Sequence, residues 1–209
     1  ITGGPFFASD WYWLRTNRAD LSALTHFTIT DGANSVEDIP HTENDYPYWG
    51  NPYFGNPYFG RQIIELNVAK VANIGYNAFE GCTALTTVSF PQVTTIYNKA
   101  FFGCTALTAA SFPQVANIDW NTFSGCYSLT NIMLGATPPT NVGGGIFNGC
   151  PGNRFLIPVN EDGVPLTNSD LTAALNAYKA VEDGDTGDEL WYGCKLGETL
   201  YPIEINIVD

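Results

Sequence analysis

Cysteine and histidine are the side chains best suited to hold a metal or to act as a nucleophile, and four of the five cysteines keep a period. Cys82, Cys104, Cys126 and Cys150 are separated by 22, 22 and 24 residues, and Cys194 stands apart. Equal spacing points to one structural slot used four times. In stacked coils such side chains point the same way, about 4.8 Å apart. Parallel Cβ vectors do not converge on a disulfide, and a straight row does not close a tetrahedron around a metal. The expectation is a row of buried free thiols packing as small apolar groups.

The remaining candidates for chemistry are sparse. His26 falls on a predicted strand, and His41 opens "HTEND" with Glu43 and Asp45, which reads as a solvated loop. Asp183, Asp185 and Asp188 in "DGDTGDE" carry a faint calcium-loop signal. Their spacing departs from D-x-[DN]-x-[DN]-G, and the twelfth residue from Asp183 is Cys194, where a closing Glu is needed. Cys194 lies beside Lys195, but the sequence brings no base to it. No G-x-S-x-G, H-E-x-x-H, P-loop or dinucleotide glycine pattern is present. The residues therefore predict a binding scaffold, with no catalysis, no metal and no cofactor.

Binding has better candidates. "YPYWGNPYFGNPYFG" crowds aromatic rings into one segment, and Tyr48, Trp49, Tyr53 and Phe54 are its candidate contact residues. Tyr and Trp anchor interfaces at low entropic cost. The same rings could stack on sugar faces, or could merely cover an edge of the fold. A second candidate surface is the outer face of the predicted strands: His26, Thr28, Glu65, Asn67, Thr87, Ser89, Ala109, Ser111, Asn131 and Met133. These residues are small and mostly neutral, which suits close approach to a broad partner.

Both surfaces must be positioned by a repeat. "GCTALTTVSFPQV" (81–93) returns 22 residues later as "GCTALTAASFPQV" (103–115). The anchor residues Phe79, Phe101, Phe123 and Phe147 step by 22, 22 and 24, the last step absorbing two extra residues in "GATPPT". Earlier in the chain, Ile63, Leu66, Val68, Val71 and Ile74 fill the slots of Leu85, Val88, Phe90, Val93 and Ile96. Leu24, Phe27 and Ile29 begin a first coil, with Val36 and Ile39 completing it. From Ile39 to Phe59 takes 20 residues where Ile74 to Phe79 takes 5, so the aromatic segment is an insertion of about 15. Val88 and Phe90 alternate as a strand with one buried face does. Pro91 ends that strand for want of an N–H. A coil of this length cannot bury its apolar slots alone, so neighbours must stack.

The spacing L-x-x-V-x-F-P-x-x-V-x-x-I-x-x-x-A-F-x-G-C-x-x-L resembles the BspA-type leucine-rich repeat of bacterial surface proteins, over roughly residues 20–158. The departures are the insertion in the first coil, Arg61 in place of the slot's Cys, and the degenerate fourth copy "IFNGCPGNRFLIP". The resemblance implies a right-handed solenoid with parallel strands on a concave face and turns or short helical turns on the convex side. It also implies export or surface anchoring, and a role in adhesion or protein binding.

Composition narrows the partners. Eight Lys and Arg against 21 Asp and Glu, a net charge of −13, argue against a phosphate backbone and disfavour an anionic membrane surface as partners. No apolar run approaches the roughly 18 residues of a membrane span. The start at "ITGG" without Met leads to the expectation of a removed export signal. Residues 1–20, with "FFASDWYWLR", read as an N-terminal cap, residues 21–158 as the repeats with the insertion near 40–59, and 159–209 as a C-terminal cap. In that last segment "TNSDLTAALNAYKAV" reads as an amphipathic helix with Thr167 and Asp170 at capping-box spacing, and "LYPIEINIV" as a terminal strand. The reading is thus an extracellular repeat protein that binds a protein. A glycan-binding module and a structural spacer in a surface assembly are the alternatives.

Overall fold

The computed structural model describes residues 26–29, 64–180, 190–191 and 194–196. The expected N-terminal cap, the aromatic insertion, the "DGDTGDE" loop and the terminal strand lie outside the described residues. In chain order the strands are β1 (His26–Ile29), β2 (Glu65–Val68), β3 (Asn73–Ile74), β4 (Thr87–Ser89), β5 (Thr95–Ile96), β6 (Ala109–Phe112), β7 (Asn117–Ile118), β8 (Asn131–Leu134), β9 (Asn141–Val142), β10 (Phe155–Pro158), β11 (Leu190–Trp191) and β12 (Cys194–Leu196). Helix α1 (Asn168–Ala180) lies between β10 and β11.

These strands form a solenoid. A large sheet runs β1-β2-β4-β6-β8-β10-β12-β11, and a narrow one runs β3-β5-β7-β9. The large sheet is parallel from β1 to β12 and ends in the antiparallel β11–β12 pair. Its register is the one the apolar slots dictate: Phe27 pairs Leu66, Leu66 pairs Val88, Val88 pairs Ala110, Ala110 pairs Ile132 and Ile132 pairs Leu156. The first-coil assignment of Phe27 and Ile29 therefore holds.

The narrow sheet was not expected. Each of its strands is two residues long, with Ile or Val inward and Asn or Thr outward. Two residues are too few to show a period of two. The rest of each coil is turn, with no helix among the described coils. In that turn alternate amides do different work. Ala78, Glu80 and Cys82 donate to carbonyls three residues back, while Asn77, Phe79 and Gly81 donate to Asn98, Ala100 and Phe102 of the next coil. The alternation depends on left-handed backbone at two slots. Asn77, Lys99 and Asn121 hold φ of 55, 58 and 56, and Gly81, Gly103 and Gly125 hold φ of 72, 71 and 78. Glycine takes that conformation without a Cβ penalty, and Asn is the next most tolerant residue.

Two columns of phenylalanine fill the space between the sheets. Phe79, Phe101, Phe123 and Phe147 stack face to face at centroid distances of 5.2, 5.4 and 5.8 Å. Phe90 and Phe112 stack at 5.8 Å, tilted against the first column. Two distinct devices close the C-terminal end of the described core. The Arg154 guanidinium lies 5.0 Å over the ring of Phe147, and its Nη1 donates to the carbonyls of Cys150 and Pro151. Tyr178 of α1 is fully buried in the core and its hydroxyl donates to the carbonyl of Gly135 at 2.9 Å. Ala174 and Leu175 are buried beside it, so the helix docks along one face.

Phe101→Ala should lower the free energy of unfolding by about 3–5 kcal/mol, because it removes a buried ring from the middle of a column. Thr87→Ala, on the outer face of β4, should change it by no more than about 0.5 kcal/mol. Urea denaturation followed by circular dichroism measures both, and equal costs would place the inward and outward slots in the wrong phase.

Candidate functional site

The thiol row forms as expected in its interior. Cys82, Cys104 and Cys126 are buried and free, whereas Cys150 is only half-buried. They do more than fill space. Cys104 Sγ donates to the carbonyl of Phe79 at 3.1 Å, Cys126 Sγ to that of Phe101 at 3.2 Å, and Cys150 Sγ to that of Phe123 at 3.2 Å. The same carbonyls accept the amides of Cys82, Cys104 and Cys126 within their own coils. Each thiol thus ties one coil's turn to the previous coil's anchor. Burial pushes the Cys82 thiol up to about 12 and raises that of Cys104 as well. A thiol held protonated is a poor nucleophile and a poor metal ligand. Among the described residues no group of three His, Cys, Asp or Glu is placed to hold a metal ion.

A threonine row supports the large sheet on its approach side. Thr86, Thr108 and Thr130 each donate a side-chain hydroxyl to the carbonyl 22 residues earlier, at Ile64, Thr86 and Thr108. Their own backbone amides reach the same three carbonyls. This pins the strands that follow, and with them the outer-face candidates. Glu65 and Asn67 on β2, and Thr87 and Ser89 on β4, are half-buried and stand in adjacent register. His26 and Thr28 pair with Glu65 and Asn67 in the backbone register of β1 and β2. Asn131 on β8 is half-buried and donates its side-chain amide to Thr130 Oγ1.

The outer face does not stay open along its length. Ser111 is only 2% exposed, and Ala109 and Met133 are buried with it. Ser111 is therefore corrected from a candidate surface contact to a covered residue. The cover is the chain itself. After β10 the backbone folds back in a hairpin, in which Val159 bridges Pro165 antiparallel and Asn160 exchanges hydrogen bonds with Val164 and Gly163. Asn160 Oδ1 accepts the amides of Asp162 and Val164 and fixes the turn. Val159 packs with Ala109 and Met133, joined by Ile157, and the Cβ position of Gly163 lies 3.5 Å from Ser111 Oγ. The hairpin thus reaches back from β10 across β8 to β6. Its signal was present in "VNEDGVP", a turn of Asn, Asp and Gly between apolar residues, which is the mark of a short hairpin loop. It was hidden because the same residues also end the repeat.

Tyr48, Trp49, Tyr53 and Phe54 lie outside the described residues. Among the described residues no helix is long and apolar enough to cross a membrane.

Residues 57–163, about half of the chain, match the model of the BspA type leucine rich repeat region, with 6 copies. The chain belongs to the BspA-type leucine-rich repeat family. A crystal structure of a leucine-rich repeat protein from Bacteroides ovatus is 23% identical, with a TM-score of 0.42, over 63% of this chain and 36% of that one. This leucine-rich repeat chain therefore spans little more than a third of that protein. Among curated proteins none matches.

The thiol geometry makes two measurable statements. In native protein Cys150 should react with a thiol reagent first, while Cys82, Cys104 and Cys126 react only on unfolding; mass spectrometry of time points assigns the order. Because the Cys82 thiol is raised from 9.0 to about 12 on folding, the unfolded chain loses its proton first as pH rises. Stability should then be full below about pH 9 and fall between pH 9 and 12. The fall in urea midpoint across that window should be smaller in Cys82→Ala.

Proposed function

We propose that this chain is an exported or surface-held bacterial protein that binds another protein and catalyses nothing. The observation that carries this reading is the division of the strand face. Glu65, Asn67, Thr87 and Ser89 offer small, mostly uncharged groups on rigid strands, and the hairpin begins where they end. A rigid polar face of this kind meets a broad partner without the entropy cost of ordering long side chains. Asn131 lies at the far side of the hairpin and takes the margin of the contact. The aromatic insertion enters the chain between β1 and β2, the strands that lead into the open part. We place Tyr48, Trp49, Tyr53 and Phe54 as its anchors, since loops inserted between repeats carry recognition. Family membership supports a role in adhesion, and the low content of Lys and Arg argues against nucleic acid as the partner.

The test is binding to a panel of immobilised extracellular-matrix and bacterial surface proteins by biolayer interferometry. The double variant Asn67→Arg with Ser89→Arg should weaken the best interaction at least tenfold, about 1.4 kcal/mol. Asn117→Arg, on the narrow sheet, should change it less than twofold. Equal effects of both would remove the strand face from the site.

Replacing residues 45–56 by a short Gly-Ser linker should leave the thermal midpoint nearly unchanged and lower the same affinity tenfold or more. Unfolding of that variant would instead make the insertion a structural cover.

A further inference from the structure

Most large apolar side chains among the described residues are covered, but two aromatic rings of one coil are not. Trp120 is 60% exposed and Tyr127 is 66% exposed. Neither belongs to the strand face, for they flank Phe123 on either side of the anchor turn. Both rings rest on the anchor turn of the following coil, "GGGIFNG" (143–149). The Cβ position of Gly144 lies 3.1 and 3.3 Å from Cζ3 and Cε3 of Trp120, and that of Gly149 lies 3.2 Å from Cε1 of Tyr127. Glycine at these seats lets each ring lie close on the backbone. Between the seats, Asn121 Oδ1 and Asn148 Nδ2 stand 2.7 and 2.8 Å from the Cβ position of Gly145.

The repeat itself shows that this arrangement is not inherited from the coil. The slot of Trp120 holds Tyr76 and Asn98 in the two coils before it, and Gly144 in the coil after. The slot of Tyr127 holds Thr83 and Thr105 in those earlier coils. Among these coils only the third carries a ring at both slots, and in the coil after it Gly144 stands where the earlier coils have a larger residue, while Gly149 is the glycine every coil keeps, as at 81, 103 and 125. The two departures from the repeat occur together and fit each other.

We propose that Trp120 and Tyr127 form a platform that binds an uncharged glycan chain. The C–H face of a pyranose packs on an aromatic ring, while its hydroxyls require partners that both donate and accept. The two rings supply the first requirement, and the amides of Asn121 and Asn148 between them supply the second. Charge decides against an anionic polymer. Residues 119–127 and 143–149 contain no Lys or Arg, Asp119 is the one charged group, and the whole chain carries −13. This surface is separate from the strand face, so a glycan and a protein could be held at once.

The experiment is native affinity electrophoresis in gels containing a neutral β-glucan, an α-mannan or a xylan, with heparin and alginate as anionic controls. At least one neutral polymer should retard the protein, and neither anionic polymer should. Trp120→Ala and Tyr127→Ala should each weaken the retardation at least tenfold with an unchanged thermal midpoint, as exposed positions allow. Gly144→Val keeps both rings but tips the indole from its seat, and should weaken it too. Retardation by no neutral polymer, retardation equal in Trp120→Ala, or retardation by the anionic polymers alone would overturn the proposal. So would binding to an immobilised protein that Trp120→Ala abolishes while no neutral polymer retards the chain.

Discussion

In the described coils, backbone groups find their partners in the neighbouring coils. Amides in the anchor turn donate forward to the next coil, as Phe79 does to Ala100, and amides at the strand approach donate backward, as Thr108 does to Thr86. A buried backbone group left without a partner costs free energy comparable to a lost hydrogen bond. The spacing inside each ladder is therefore a physical requirement, since an insertion within either one would put it out of step. The phenylalanine columns, the thiol row and the threonine row all follow from that register, each being one slot repeated along the stack. Where two residues are added, in "GATPPT", they lie outside both ladders, and Thr140 still donates its side chain to Ala116 24 residues earlier.

The same constraint sorts the surface. Within a coil the inward slots are fixed by packing, so recognition can only be written on outward slots, on inserted loops and on turns. The hairpin then closes part of the outward face with Val159, whose packing against Ala109 and Met133 makes a second small apolar cluster outside the main core. Among the described residues, what is left open is a short run of strands at one end and the anchor turns along one side. These two regions differ in kind: one is small and polar, and the other carries the exposed rings of Trp120 and Tyr127.

The middle of the fold could be read directly from residues. Six slots recurring in phase gave the register of the large sheet, the anchor column and the buried thiols, and "TNSDLTAALNAYKAV" was legible as an amphipathic helix. Three features were not. The narrow sheet has strands of two residues, below the length at which alternation can appear. The thiols' hydrogen bonds depend on the distance between coils, which a period does not state. The covering of Ser111 depends on where the chain turns after its last strand, and that turn lies beyond the repeat that made the rest readable. Site residues on the strand face were found only because strands alternate, and alternation says which side a residue faces, never whether something else already lies there.

The position of the hairpin has an evolutionary consequence. Among the described residues its contacts reach back to β6, and Tyr178 and Arg154 lie against the last coils, so the C-terminal ensemble recognises its own near neighbours. A coil duplicated upstream of that ensemble would leave each of those contacts intact and lengthen the uncovered strand face by about 4.8 Å. The two nearly identical stretches at 81–93 and 103–115 are the trace such an event leaves. Ligand footprint in this architecture can thus be changed by copy number, while the closing apparatus is carried along unaltered.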